Sequence, residues 1–215
     1  MQTFGGWHLP DHEKHLIEWM AHPKNAGNLE SGRVMYQAKK QRAAIGHCKQ
    51  FRVAVDIGAH CGLWAFYLAE KFATVHAFEP VAAHRECFGV NVTAPNVMLH
   101  GCALGPKAGS VSMFTENGSS GNSHVSGDGD IEMWTLDSFK LEDVDFVKMD
   151  TEGFELYILQ GAGETLARCK PVMCVEQKPH VIGNFGFQRP EAIEYLQSLG
   201  AVVLQELSGD YILGW

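Results

Sequence analysis

Four acidic side chains, Asp56, Glu79, Asp150 and Glu176, each close a short run of apolar and β-branched residues. Runs of that kind, separated by helical stretches, form parallel strands whose carboxyl ends open onto a ligand crevice. One acid at a strand end is ordinary. Four along one rim suit a polar ligand that offers hydroxyls and amines. After the first acid, Asp56-Ile-Gly58-Ala-His60-Cys-Gly62 places two glycines directly beyond a strand. Glycine permits a tight turn and a close approach of ligand to backbone, and the free N–H groups of the helix that follows favour an anion such as a carboxylate. Glu79 stands about twenty residues further on, at the end of the next strand, where an acid accepts the ribose hydroxyls of an adenosine.

The type of adenosine ligand follows from what the glycine turn lacks. A dinucleotide pyrophosphate needs Gly-x-Gly-x-x-Gly, whereas here Gly58-x-x-x-Gly62 has no middle glycine and carries the side chains of Ala59, His60 and Cys61. S-adenosylmethionine has no phosphate. It brings a carboxylate for the helix end, an ammonium for an acid such as Asp56 or Asp150, and a sulfonium that suits an acidic rim. An NAD-dependent Rossmann oxidoreductase is the weaker alternative, and a non-catalytic S-adenosylmethionine-binding protein is another.

Positioning such a rim takes a regular alternation of elements, which begins at residue 51. Runs at 51–55, 74–78 and 97–100 read as strands one to three, with helices over 63–72 and 81–92. Runs at 144–149 and 171–175 read as strands four and five around a helix over 154–166. A helix over 190–199, ended by Gly200, leads to two final strands at 201–204 and 211–213, and the short Ser208-Gly-Asp210 link makes these antiparallel. The alternation predicts a doubly wound α/β sheet with right-handed crossovers. Residues 105–140 interrupt it between strands three and four. Extended runs at 110–114 and 131–136, with turn pairs Asn117-Gly118 and Asp128-Gly129, predict a β-hairpin insertion that is either a surface loop or a substrate-facing flap. Residues 1–50 read as a helical extension, a lid or an interface, with helices from Asp11 to Pro23 and over 31–45. Residues 51–215 then form the ligand-binding domain.

Bulk properties narrow the class. The 215 residues suffice for one sizeable core, and 46% hydrophobic with 20% charged residues is ordinary globular composition. A formal charge of −8 repels phosphate backbones and argues against nucleic-acid binding. No apolar run approaches the ~18 residues of a membrane helix, and the first ten residues lack a secretory pattern. The six cysteines form no Cys-x-x-Cys pair, so reduced thiols and a cytoplasmic location are expected. His8, His12 and His15 have near-helical spacing, but nothing beside them completes a zinc set. The sequence leaves the oligomeric state open, a homodimer included.

Several stretches resemble the FkbM family of methyltransferases: Val55-Asp-Ile-Gly-Ala-His-Cys-Gly62, His76-Ala-Phe-Glu-Pro80, Thr135-Leu-Asp137, and Asp145-Phe-Val-Lys-Met-Asp-Thr-Glu-Gly-Phe-Glu155. Leu159-Gln-Gly161 and Val175-Glu176 are similar to its later motifs. The resemblance covers about residues 51–180, and the chain departs from it at His60, where the family usually has asparagine. It implies a class I methyltransferase (Rossmann-like) fold, a mixed seven-stranded sheet with a final antiparallel strand. It also implies S-adenosylmethionine as cofactor, S-adenosylhomocysteine as product, and methyl transfer to oxygen on a sugar or another small-molecule hydroxyl.

The expected cofactor contacts are Asp56, Gly58, His60, Gly62, Glu79, Pro80 and Asp150, with Cys102 and Ala103 near the adenine. A hydroxyl is a weak nucleophile, so a general base helps. Asp150 and Glu152 are the candidates for that role or for acceptor binding, and the alternative is that they cap the next helix. Glu155 is expected to pair with Lys148 or a backbone donor. Asp150, Glu152 and Glu176 could also supply oxygens to a divalent ion, but their spacing is not diagnostic and no metal is assigned.

Overall fold

A computed structural model describes residues 1–177, 183–187 and 189–215. The fifty residues before the alternation hold two small hairpins as well as helices. Gln2–Phe4 (β1) pairs with Trp7–Leu9 (β2). His15–Ala21 (α1) and Pro23–Ala26 (α2) follow, and Leu29–Glu30 (β3) then pairs with Arg33–Val34 (β4). The helix expected over 31–45 therefore begins only at Ala38–Ile45 (α3). Ser31 and Gly32 take left-handed φ angles of 51° and 79° to close the second hairpin, a conformation no helix accommodates.

The alternation itself appears as Val53–Ile57 (β5), Leu63–Ala69 (α4), Thr74–Phe78 (β6), Ala82–Asn91 (α5) and Val97–His100 (β7). After the insertion come Val144–Met149 (β11), Glu155–Gln160 (α6), Gly163–Cys169 (α7), Val172–Glu176 (β12), Glu191–Ser198 (α8), Val202–Leu207 (β13) and Asp210–Gly214 (β14). The insertion is Ala103–Leu104 (β8), Gly109–Glu116 (β9) and Ser119–Trp134 (β10), a separate three-stranded sheet in the order β8-β10-β9. Asn117 and Gly118 make the expected turn between β9 and β10. Asp128 and Gly129 do not reverse the chain: they lie inside β10, in a register shift between Gly127 and Ile131. Turn-forming residues serve bulges equally well.

The main sheet runs β13-β14-β12-β11-β5-β6-β7, and only β14 is antiparallel to its neighbours. The chain leaves β5 toward β6 and β7 and later returns on β5's other side as β11. The switch point of the sheet thus lies between β5 and β11, where ligands bind in open α/β folds. Alternate residues feed two cores. Val55, Val147 and Val175 face Ile158, Leu159 and Leu196 on one side. Ala54, Phe146 and Cys174 face Trp64, Leu68 and the α3 residues Ala38 and Ile45 on the other.

The helix expected over 154–166 is broken at Gly161 and Ala162 into α6 and α7. Asp137, from the Thr-Leu-Asp stretch, accepts the α7 backbone N–H groups of Glu164 at 3.0 Å and Thr165 at 2.8 Å, so its carboxylate caps the second piece. All six cysteines are free. Among the described residues no helix is long and apolar enough to cross a membrane.

Trp7 fastens the N-terminal segment. It is fully buried, donates Nε1–H to Val34 O at 2.8 Å and meets Phe66 of α4 edge-on at 5.4 Å. Asn91 of α5 completes the attachment, bonding both backbone groups of His8 at 2.8 Å. Truncating a buried tryptophan costs about 3–5 kcal/mol, and Trp7→Ala is expected to lower the unfolding free energy by that amount in a urea titration. A loss below ~1 kcal/mol would show that the segment is only loosely docked.

Candidate functional site

The site begins with a close approach of two loops. Beyond β5, the N–H groups of Gly58 and Ala59 both donate to Phe78 O, at 3.1 and 3.0 Å, which tucks the turn against β6. Gly58 has φ +74°, and a Cβ there would stand 2.0 Å from Asp150 O. Only glycine lets the β5 turn lie under the exit of β11. Gly62, at φ +88°, serves the neighbouring contact: a Cβ there would meet Val92 Cγ2 at 2.4 Å.

Two adjoining cavities open at this rim. The first, of about 560 Å³, has apolar walls from Ile57, Phe78, Leu104 and Ile158, with Glu79 and His60 at one end. Pro80, Cys102 and Ala103 line it, and the β10 residues Ser120, Ser123 and Val125 roof it. Glu79 is held on three sides. Oε2 accepts the His60 N–H at 2.8 Å, and Oε1 accepts the Val81 N–H at 2.8 Å and His84 Nδ1–H at 3.1 Å.

The second cavity, of about 1110 Å³, shares Gly58, His60, Gly121 and Asp150 with the first. Asp150, Glu152 and Glu176 line it, and their carboxylate oxygens come within 4.8 Å of one another. That donor set could hold a hard divalent cation. Lys148 stands among these acids. Its Nζ donates to Gly58 O at 2.8 Å and lies 3.5 Å from Asp56 and 3.9 Å from Asp150. Burial opposes its charge, but Asp56, Asp150 and Glu176 together outweigh burial and raise its pKa above the usual lysine value. Asp56 is fully buried behind it, and among the described residues its partner is Lys148, 3.5 Å from Oδ1. Burial raises its pKa, with Lys148 pulling the other way. Tyr36, from the N-terminal segment, faces the same cavity. Burial first, then Asp150, Glu176, Asp210 and Glu152, push its phenol well above the ordinary value, so it stays protonated.

The structure thus brings Gly58, His60, Glu79, Pro80, Cys102, Ala103 and Asp150 to the first cavity, and Asp150 with Glu152 to the second. Asp56 and Gly62 line neither: Asp56 backs Lys148, and Gly62 makes room for Val92. Glu155 does not pair with Lys148. It accepts the backbone N–H groups of Thr151 and Gly153 and the Thr151 hydroxyl, at 2.9, 3.2 and 2.9 Å, which pins the loop that carries Asp150 and Glu152. Lys148 and Tyr36 join the site without having been expected there. Lys148 had a signal, as the one basic residue in the apolar run 144–149. Tyr36 had none, because its place depends on how the segment folds back.

With this geometry in place, the relatives can be compared. The FkbM methyltransferase domain matches residues 56–203. No curated protein matches the sequence significantly. Among solved structures, an FkbM methyltransferase from Methylobacillus flagellatus KT is 20% identical with a TM-score of 0.49, over 76% of this chain and 44% of its own. This chain thus spans under half of that protein's length. A precorrin-6y C5,15-methyltransferase from Geobacter metallireducens GS-15 is 16% identical, over 81% of this chain and 86% of its own, with a TM-score of 0.50. A Streptococcus mutans protein in complex with SAH is 10% identical, over 84% of this chain and 97% of its own, with a TM-score of 0.53. These last two share the fold, a class I, Rossmann-like arrangement. The family match runs through the glycine turn, Glu79, the insertion and the Asp150 loop, and the chain belongs to the FkbM family of S-adenosylmethionine-dependent methyltransferases.

Proposed function

We propose that this chain transfers a methyl group from S-adenosylmethionine to a hydroxyl oxygen of a small molecule or sugar. The observation that supports this reading is the pair of cavities that meet at Gly58, His60 and Asp150. One is apolar with an acid at its end, suited to a nucleoside. The other is wide and acid-lined, suited to an acceptor. S-adenosylmethionine, when bound, supplies a methyl already activated on a sulfonium. The protein then has to align an acceptor oxygen and exclude water.

Phe78, Leu104, Cys102 and Ala103, which line the first cavity, would hold the adenine. Glu79 takes a ribose hydroxyl. An ionised carboxylate offers about four acceptor positions, and three protein donors already use this one, so its orientation is set before the ligand arrives. Asp150, at the shared wall, faces the ammonium or the reacting centre. Glu152 reaches into the second cavity and takes the acceptor's proton, and the protonated Tyr36 phenol hydrogen-bonds the acceptor. Asp150, Glu152 and Glu176 repel phosphate and carboxylate groups, which favours a neutral, hydroxyl-bearing acceptor over nucleic acid. The six free thiols support a reducing compartment such as the cytoplasm.

Glu79→Ala is expected to weaken S-adenosylhomocysteine binding ~10-fold or more in calorimetry, through the loss of charge-assisted hydrogen bonds. Unchanged affinity would remove Glu79 from the ribose contact. Asp150→Asn and Glu152→Gln are expected to lower methyl transfer from labelled S-adenosylmethionine by ~100-fold or more across a panel of sugars and small polyols, with melting temperatures near wild type. If both variants melt early yet turn over normally once folded, these acids are structural.

A further inference from the structure

The first cavity is roofed by β10, and the roof is held by an acid far away in sequence. Glu13, in the loop before α1, is only 1% exposed. Its Oε1 accepts the Leu16 N–H at 2.7 Å, and its Oε2 accepts both the Ser120 N–H, at 2.7 Å, and the Ser120 hydroxyl. Ser120 is also 1% exposed and lies 2.8 Å, through Oγ, from His60 Nε2. Counting protons fixes the direction of this chain. The serine hydroxyl has one hydrogen and gives it to the carboxylate, so His60 must donate from Nε2. Burial, then His84 and Lys148, hold His60 well below the usual imidazole range, so the ring is neutral and its single proton sits on Nε2.

Backbone contacts reinforce the grip. Gly118 O, at the hairpin turn, accepts the N–H groups of Lys14 at 3.0 Å and His15 at 3.2 Å. The N-terminal segment therefore holds the β9–β10 tip, and the tip holds the glycine turn. Ser120 and Ser123 form part of the wall of the first cavity, and Gly121 borders both cavities. A ligand held there is covered on this side by the β9–β10 tip. The polar contacts that close it can be exchanged for water, so the tip can lift without exposing a core.

We propose that Glu13, Ser120 and His60 form a latch that closes the β9–β10 tip over the bound cofactor, so that Glu13, outside the family-matched region, helps set how fast cofactor and product leave. This rests on the first cavity being the cofactor site. In the closed state the latch also keeps water from the reacting centre. Glu13 and Ser120 act through His60 and the tip, as positioning residues.

The test is the release of labelled S-adenosylhomocysteine from the full chain in a chase experiment, with the melting temperature of the ligand-free protein measured alongside. Glu13→Gln leaves one amide oxygen for two sets of donors. Ser120→Ala keeps the N–H to Glu13 but removes the hydroxyl, and with it both the bond to Glu13 Oε2 and the link to His60. Both are expected to raise the dissociation rate about 10-fold, as for loss of a hydrogen bond to a charged group, with a smaller effect on the association rate. Ser120→Ala is expected to lower the ligand-free melting temperature by no more than Glu13→Gln does, since it keeps the N–H to Glu13. A dissociation rate within about twofold of wild type in Ser120→Ala, whatever its melting temperature, would overturn the latch while leaving the cofactor site intact. No binding of S-adenosylhomocysteine to the wild type would overturn the cofactor site and the latch with it.

Discussion

The whole site depends on Gly58 lying beneath the carbonyl of Asp150. A Cβ at position 58 would come within 2.0 Å of that oxygen, far inside any real contact, and the backbone there is left-handed as well. Either obstacle would push the β11 exit away from β5. Three features would be lost together: the Asp150 N–H bond to Ile57 O at 3.2 Å, the Lys148 bond to Gly58 O at 2.8 Å, and the wall shared by the two cavities. The switch point of a doubly wound sheet supplies a crevice on topological grounds alone. The missing side chain makes that crevice narrow enough for one strand end to work on what the next one holds.

Lys148 is the second constraint. Asp56, Asp150 and Glu176 converge on one rim, and such a cluster would shed its charge by protonation without a cation. Lys148 supplies one from within β11, 3.5 Å from Asp56 Oδ1, which explains how Asp56 can be fully buried. A buried ion cluster is weak evidence for stability, because desolvation consumes most of the attraction. It is better understood as preparation for a ligand. On the proposed reading Asp56 is neutralised from inside the protein, and the acids nearer the cavity are left to face the two positive groups of the cofactor.

Much of this was legible in the sequence, and the reasons it was or was not are physical. The strands Thr74–Phe78, Val97–His100 and Val144–Met149 matched their expected bounds to the residue: an acid marks the exit of the first and third, and the second, at the sheet edge, is a short apolar run between a proline-containing turn and Gly101. Gly58, Glu79 and Asp150 were found because strand ends converge whatever the side chains between them do. The hairpin Gln2–Phe4 with Trp7–Leu9 was not found, since strands of three residues are too short to show a period. Asp128 and Gly129 were misread because bulges and turns draw on the same residues. Asp56 was placed on the correct strand end, but which neighbour would fill the space before it depends on the length of Lys148's side chain, which no pattern of polarity records. Glu13 and Ser120 meet across 107 positions, beyond the reach of any local signal.

The N-terminal segment marks the boundary between what the family shares and what this chain adds. The family match begins at residue 56, yet the face of the sheet that carries Ala54, Phe146 and Ile212 is covered by Met35, Ala38 and Ile45 from before that point. Trp64 and Phe72 also cover Phe146, so the N-terminal residues complete this face rather than form it alone. The same segment contributes Tyr36 and Leu16 to the second cavity and Glu13 to the roof of the first. A segment that completes the core cannot drift freely in sequence. Its residues toward the second cavity differ in how they are held: Leu16 belongs to the core around Trp7, whereas Tyr36 is only half-buried and rests edge-on against Trp19. On the proposed reading, a change at Tyr36 alters the acceptor cavity without touching the glycine turn or Glu79, because Tyr36 lines only the second cavity.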